Sequence, residues 1–314
     1  MQTTTRDPIQ EPDPQASPFH QATSLSKRLK LFLWGDSGVG KTTLSLQFPA
    51  PVLIDLEGGA DPYGDAFDFH VLRASTADEV SEAVRWLLAN EHPYRTLILD
   101  PITVYWDALQ KKWSDIFLRR NKSSKGHRFE FYDLQPRDWM TVKAEFKELI
   151  RLLIALDMNV IVTARQKVQY ADGGFMKVIG ETFDGEKSLP YLFDTIVRLF
   201  RDEQARFMAS CLKDRTKQLP AEPFESSCAV FEQAFGLETL SREAHPISSV
   251  SDEQLEQLRT CIGALGLTPA HVTKRLAAYG ATRLDDLTAD TARTILTKLE
   301  TALARRGEST TKES

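Results

Sequence analysis

Short apolar runs alternate with polar, helix-forming stretches from Arg28 to about Arg215 in this chain. The runs fall at residues 29–34, 52–56, 67–72, 95–100, 158–164, 194–200 and 206–212, and each reads as a buried strand. Between them, Thr76-Ala77-Asp78-Glu79 forms a capping box that opens a helix through about Ala89. A second long helix fits residues 137–156, with Met140, Phe146, Leu149, Ile150 and Leu153 on one face. Strands alternating with helices predict an α/β unit on a mostly parallel sheet.

The pattern differs on either side of this unit. Residues 1–27 hold Pro8, Pro12, Pro14 and Pro18 among polar residues and read as a disordered arm. Residues 216–250 carry few regular signals and read as a linker wrapping the core. From Ser251 only helical signals remain. One helix starts at Ser251-Asp252-Glu253-Gln254, a second opens at Thr268-Pro269 and ends at Gly280, and a third runs from Thr288-Ala289-Asp290 to about Arg305. Residues 251–306 thus form a small all-α module, and 307–314 a disordered polar tail.

Composition narrows the class without deciding it. The chain of 314 residues is 42% hydrophobic and 26% charged, which suits an ordinary globular core. No apolar run approaches bilayer length and the N-terminus lacks a signal-peptide pattern, so no membrane association is expected. Cys211, Cys228 and Cys261 are odd in number and scattered, as are the six histidines; reduced thiols and a cytoplasmic location follow. A net charge of −5 argues against a chain coated by polyanion, but leaves room for a local basic groove.

The chemistry enters at the end of the first strand. Gly35-Asp36-Ser37-Gly38-Val39-Gly40-Lys41-Thr42 matches G-x-x-x-x-G-K-[ST] and directly follows the run Leu31–Trp34. Glycines let backbone N–H groups converge on phosphates, Lys41 reaches the β- and γ-phosphates, and the Thr42 hydroxyl ligates Mg²⁺. Thr43 closes the candidate ATP-binding set. Asp100 ends the strand Thr96–Asp100 and is placed to hold the Mg²⁺ shell beside Thr42. Glu57, just past the second strand and followed by Gly58 and Gly59, is a candidate general base; a solvated loop acid or helix cap is the alternative. Thr163, Arg165 and Gln166 cluster at the end of a further buried strand. One of them would sense the γ-phosphate, unless they are merely solvated there. Lys213 and Arg215 close the last core strand, as surface charges or as fingers reaching a neighbour's γ-phosphate.

Together GDSGVGKT (35–42), LIDLEGG (53–59), TLILD (96–100), NVIVTA (159–164) and KDR (213–215) resemble a RecA-like P-loop ATPase. Within that group, the likeness is to the core-only ATPases of phage single-strand annealing and recombination. It covers roughly residues 28–215. It implies a three-layer fold with a mostly parallel central sheet, Glu57 as catalytic base, and Lys213 and Arg215 acting across a subunit interface. It further implies a homo-oligomer, ring or filament, that binds ATP between subunits and works in the host cytoplasm. One departure stands out: Pro101 follows Asp100 where such cores commonly carry serine, which removes a hydroxyl from the magnesium neighbourhood.

The resemblance implies two loops for single-stranded DNA. The first lies within residues 111–132. Lys111, Lys112, Arg119, Arg120, Lys122, Lys125 and Arg128 face one acid, Asp115, and Phe129, Phe131 and Tyr132 follow. Cations would neutralise phosphates and rings would stack bases; a solvated helix face with core aromatics reads equally well. The second spans residues 167–188, where Lys167, Tyr170, Phe175 and Lys177 flank the hairpin signal Asp172-Gly173-Gly174. Phe19-His20-Gln21-Ala22 has an F-x-x-A form by which relatives dock on the next protomer, although Phe231–Ala234 matches it too.

The leading expectation is therefore an Mg²⁺-dependent, DNA-stimulated ATPase that promotes strand annealing or exchange. Two alternatives stay open. One is a P-loop ATPase acting on a protein or duplex target, as a loader, packaging or partition factor. The other is a nucleotide-dependent interaction module with little hydrolysis. The helical module would then recruit a single-strand-binding or replication protein.

Overall fold

A computed structural model describes residues 28–120, 136–171, 177–246, 250–277, 279, 281 and 283–310. Each apolar run becomes a strand: β1 (Lys30–Gly35), β2 (Pro51–Asp55), β3 (His70–Arg73), β4 (Thr96–Asp100), β5 (Asn159–Tyr170), β7 (Thr195–Arg201) and β8 (Phe207–Asp214). Two strands add to these, β6 (Val178–Phe183) and β9 (Phe224–Glu225). They form one sheet in the order β3-β2-β4-β5-β1-β7-β8-β9, with β6 on the far part of β5. Strands from β3 to β7 run parallel, whereas β8, β9 and β6 pair antiparallel.

Side chains alternate across a strand, so β1 buries both its faces in different cores. Phe32 and Trp34 pack with α2 (Ala77–Ala89), α3 (Ile102–Arg120) and α4 (Pro136–Ala155). Leu31 and Leu33 face α1 (Lys41–Leu46), α6 (Cys228–Phe235) and α7 (Leu237–Ser241). This is a three-layer α/β fold. Thr76 caps α2 as its sequence predicts, its Oγ1 accepting the Glu79 N–H at 3.2 Å. On α4, Phe146, Leu149, Ile150 and Leu153 are buried as expected. Met140 is not: it is exposed, and Val142 takes the inward place.

Residues 216–246 of this stretch pack against the core but contain β9, α6 and α7, elements of two, eight and five residues. Pieces this short show too little periodicity to be read in advance. Phe231, Phe224 and Leu240 anchor them. Phe231 of the second F-x-x-A match is thus a core residue. Arg28 fastens the stretch, donating to Asp157 Oδ1 at 2.9 Å and to the Arg242 carbonyl at 2.7 Å.

Lys30 is a buried cation at the base of β1. Its Nζ donates to the carbonyls of Leu153, Leu156 and Met158 at 3.1, 2.7 and 3.0 Å, closing the end of α4. Lys30→Met leaves these carbonyls short of a donor and is expected to lower the melting temperature by about 5–10 °C, from about 1–3 kcal/mol of lost satisfaction. Burial pulls the Lys30 amine from its ordinary 10.5 down to about 7. The unfolded chain binds more protons between those values, so this group adds stability as pH rises across the window and loses it as pH falls through 7. The wild type's advantage over Lys30→Met in thermal melts should therefore be larger near pH ~9 than near pH ~6.5. Equal advantages at both would refute the titration.

The C-terminal module has its own core. Helices α8 (Asp252–Ala264), α9 (Pro269–Ala277) and α10 (Ala289–Thr310) join Leu255, Leu258, Leu276, Leu287, Ala292, Leu296 and Leu299. Ser251 and Gln254 form the capping box of α8. The tail expected from residue 307 is corrected in part: α10 continues through Thr310, since one glycine after an Ala/Leu/Arg run does not stop a helix. Residues 1–27 and 311–314 lie outside the described residues.

Candidate nucleotide site

The site forms where the parallel strands end. Gly35 closes β1 so tightly against β7 that a Cβ there would meet the Leu199 carbonyl oxygen at 2.4 Å. Only glycine lets the chain leave the sheet at this point. Asp36, Ser37 and Gly38 form an exposed rim, Val39 tucks into the core, and Gly40, with φ of 87°, leads into α1. The Asp36 carboxylate accepts the Ser37 N–H at 2.7 Å. Lys41 Nζ donates to the carbonyls of Asp36 and Gly35 at 2.8 and 3.1 Å, so the ammonium lies over the loop itself. Burial draws its pKa below the ordinary lysine value, against the pull of Asp100 and Glu57. Thr43 follows, half-buried, in the first turn of α1.

Three strands contribute to one oxygen-rich corner. In the sheet β5 lies between β1 and β4, which brings Thr163 between the P-loop and Asp100. Asp100 Oδ2 accepts the Thr42 hydroxyl at 2.5 Å, and its Oδ1 accepts the Thr163 hydroxyl. Burial pushes the Asp100 carboxyl above the usual carboxylate range, while both hydroxyls pull it back. No ammonium or guanidinium hydrogen-bonds this carboxylate among the described residues. A half-buried anion held only by hydroxyls suits a small hard cation, and carboxylate plus hydroxyl oxygen is the donor set that Mg²⁺ takes. Pro101 supplies no hydroxyl here, and Thr163 occupies the second side of Asp100 instead.

Glu57 reaches the same edge because of a residue that strand patterning does not single out. The buried Asp55 carboxylate accepts the N–H groups of Glu57, Gly58 and Ala60 at 3.0, 2.8 and 3.0 Å, folding the loop after β2 around itself. Glu57 Oε1 then takes the Arg165 guanidinium, with Nε at 2.8 Å. Arg165 is thereby committed to the candidate base. Gln166, half-buried opposite Phe183, starts the β5–β6 hairpin and does not join the corner around Asp100.

Lys213 and Arg215, expected as surface charges or as fingers toward a neighbour's nucleotide, lie away from the P-loop of their own chain. Since β8 runs antiparallel, its end pairs with Thr195, at the sheet edge opposite the P-loop. Lys213 Nζ donates to the Pro190 carbonyl at 2.7 Å and to that of Phe193, and Arg215 pairs with Asp194 at 2.8 Å. The start of β8 lies beside the P-loop instead.

A family model for the AAA domain matches residues 27–222. The chain belongs to the AAA domain family. This AAA-type domain is a RecA-like P-loop ATPase, and its P-loop, Asp100 and Glu57 all fall within the matched span. Comparison with curated proteins gave no match. No helix of the described residues is long and apolar enough to cross a membrane, and no group of three or more His, Cys, Asp or Glu could hold a metal there.

The expected DNA residues divide. Arg119 is exposed near the end of α3, where the Arg120 backbone also lies; Lys122, Lys125, Arg128 and Phe129–Tyr132 fall outside the described residues. Lys112 is spent on Asp78 and Glu145, at 2.6 and 2.7 Å. In the second region β5 and β6 pair as a hairpin, with Lys167, Tyr170 and Lys177 exposed. Phe175 and residues 172–174 lie outside the described residues, as do Phe19 and Ala22.

Proposed function

We propose that this domain is an Mg²⁺-dependent ATPase that binds single-stranded DNA and promotes annealing or exchange of strands, assembling as a homo-oligomer. The observation that carries the reading is the double use of β5. Its first half brings Thr163 and Arg165 to the nucleotide corner, and its second half leaves the sheet as the β5–β6 hairpin. Tyr170 and Val178 lie opposite each other there, 49% and 59% exposed, beside the exposed Val168 and Ile179. Apolar and aromatic side chains next to Lys177, and to Lys167 once it exchanges its Asp184 partner at 2.9 Å for a phosphate, fit bases that stack and phosphates that need countercharge.

Chemically, Lys41 and the P-loop N–H groups hold the triphosphate, and Thr42 with Asp100 would hold Mg²⁺, which neutralises charge on the phosphate oxygens. Glu57 Oε1 takes the proton of the attacking water once its Arg165 partner gives it up. Arg165 also ties the hairpin root: its N–H donates to Thr103 Oγ1 at 3.1 Å and its carbonyl accepts from Asp184 N at 2.7 Å. Strand binding at the hairpin would therefore act on Glu57 through Arg165.

The test is ATP hydrolysis with no DNA, single strands or duplex, for wild type beside Lys41→Ala and Glu57→Gln. Single strands alone should stimulate the wild type. Tyr170→Ala is expected to weaken single-strand binding about 5- to 100-fold, the worth of one stacked base. Lys167→Glu should flatten the salt dependence. Equal stimulation by duplex, or unchanged affinity in both variants, would overturn the reading.

A further inference from the structure

The turn between β7 and β8 touches the P-loop at two glycines. Arg201, the last residue of β7, donates from Nη2 to the Gly38 carbonyl at 3.0 Å. Phe207, the first of β8, lies against Gly40, where an added Cβ would meet its ring at 3.3 Å. The Arg201 guanidinium stands over the Phe207 ring, 4.4 Å from its centre, so the two contacts form one unit. Asp202 and Arg206 close the turn behind them through a 2.7 Å ion pair.

Gly38 and Gly40 are both left-handed, with φ of 69° and 87°, and the rim around Gly38 is exposed. A loop of this kind has several backbone arrangements open to it when nothing holds it. The Gly38–Val39 peptide is trans, so its carbonyl and its N–H point in opposite directions. Fastening the carbonyl to Arg201 turns the Val39 N–H away from the hairpin and leaves it free to meet an anion.

We infer that the β7–β8 turn is an outer clamp on the P-loop, and that Arg201 is a positioning residue which sets the Val39 N–H for the nucleotide phosphates. The inference rests on nucleotide binding at the P-loop and is independent of the DNA reading. Phe207 is the floor of the clamp. It keeps Gly40 in place and holds the guanidinium at the height of the Gly38 carbonyl. Binding of nucleotide and order in residues 201–207 are then linked, each favouring the other.

The experiment measures MgATP binding, the steady-state KM and kcat, and hydrogen exchange over residues 201–207 in the full chain. Variants are Arg201→Ala, Arg201→Lys and Phe207→Ala, with Lys41→Ala as the control that removes triphosphate binding itself. Arg201→Ala should raise the Kd and KM about tenfold, the worth of one charge-assisted hydrogen bond, with kcat at saturation within about twofold of wild type. Arg201→Lys, which retains a donor, should recover part of the affinity, and Phe207→Ala should resemble Arg201→Ala. MgATP should slow exchange in residues 201–207 of the wild type but not of Arg201→Ala. An unchanged Kd in Arg201→Ala overturns the inference. So does a joint fall of kcat, affinity and melting temperature, which would mark a residue that merely supports the fold. Wild type that binds no nucleotide would overturn the P-loop assignment, and this inference with it.

Discussion

Glu57→Gln is expected to lower ATP turnover about 10²- to 10⁴-fold while leaving nucleotide affinity within a few-fold. The amide keeps the size of the side chain and can still accept from Arg165, so the loop built on Asp55 should persist. It cannot take a proton from water. Single-turnover hydrolysis beside direct MgATP binding separates the two effects. Turnover within about threefold of wild type would return Glu57 to the status of a solvated loop acid. A loss of affinity and activity together would show that the residue shapes the site without acting as base.

Asp100→Asn is expected to weaken Mg²⁺-dependent nucleotide binding about 10- to 100-fold and to reduce hydrolysis at least as much. The carboxylate is half-buried, accepts two hydroxyls and meets no cation by hydrogen bond among the described residues. Without metal, such an ion is a burden on the folded state. The amide removes the charge and keeps an acceptor, so the nucleotide-free variant should melt no lower than wild type. Calorimetric titration with MgATP and with ATP plus a chelator gives the first result, and thermal melts give the second. Full metal-dependent affinity in Asp100→Asn would move the metal elsewhere. A lower melting temperature without nucleotide would mean that the carboxylate is needed to hold Thr42 and Thr163.

The parts of the site that could be read in advance are those written in consecutive residues. The P-loop is one segment entering from one strand, and Asp100 follows the three apolar residues Leu97, Ile98 and Leu99, so local pattern places both. Glu57 could be nominated from its position past β2. Its partner could not, because Arg165 lies 108 positions away and meets it only through the order of strands in the sheet. Asp55 looked like one more strand residue, yet its carboxylate gathers three backbone N–H groups that no periodicity announces. Lys213 and Arg215 were found at a strand end, but which end of the sheet that is depends on the sense in which β8 runs.

The sequence alone determined the α/β alternation, the phosphate loop, the Asp100 carboxylate and the separate helical module, because each is encoded by hydrophobic period or by a short motif. Tertiary structure decided which charges meet. It paired Arg165 with Glu57, turned Lys213 and Arg215 to the opposite edge, and brought Arg201 onto the loop 163 positions before it. The physical reason is that apolar patterning specifies burial and local geometry, whereas the partner of a long polar side chain is set by strand order and direction, which are properties of the whole sheet.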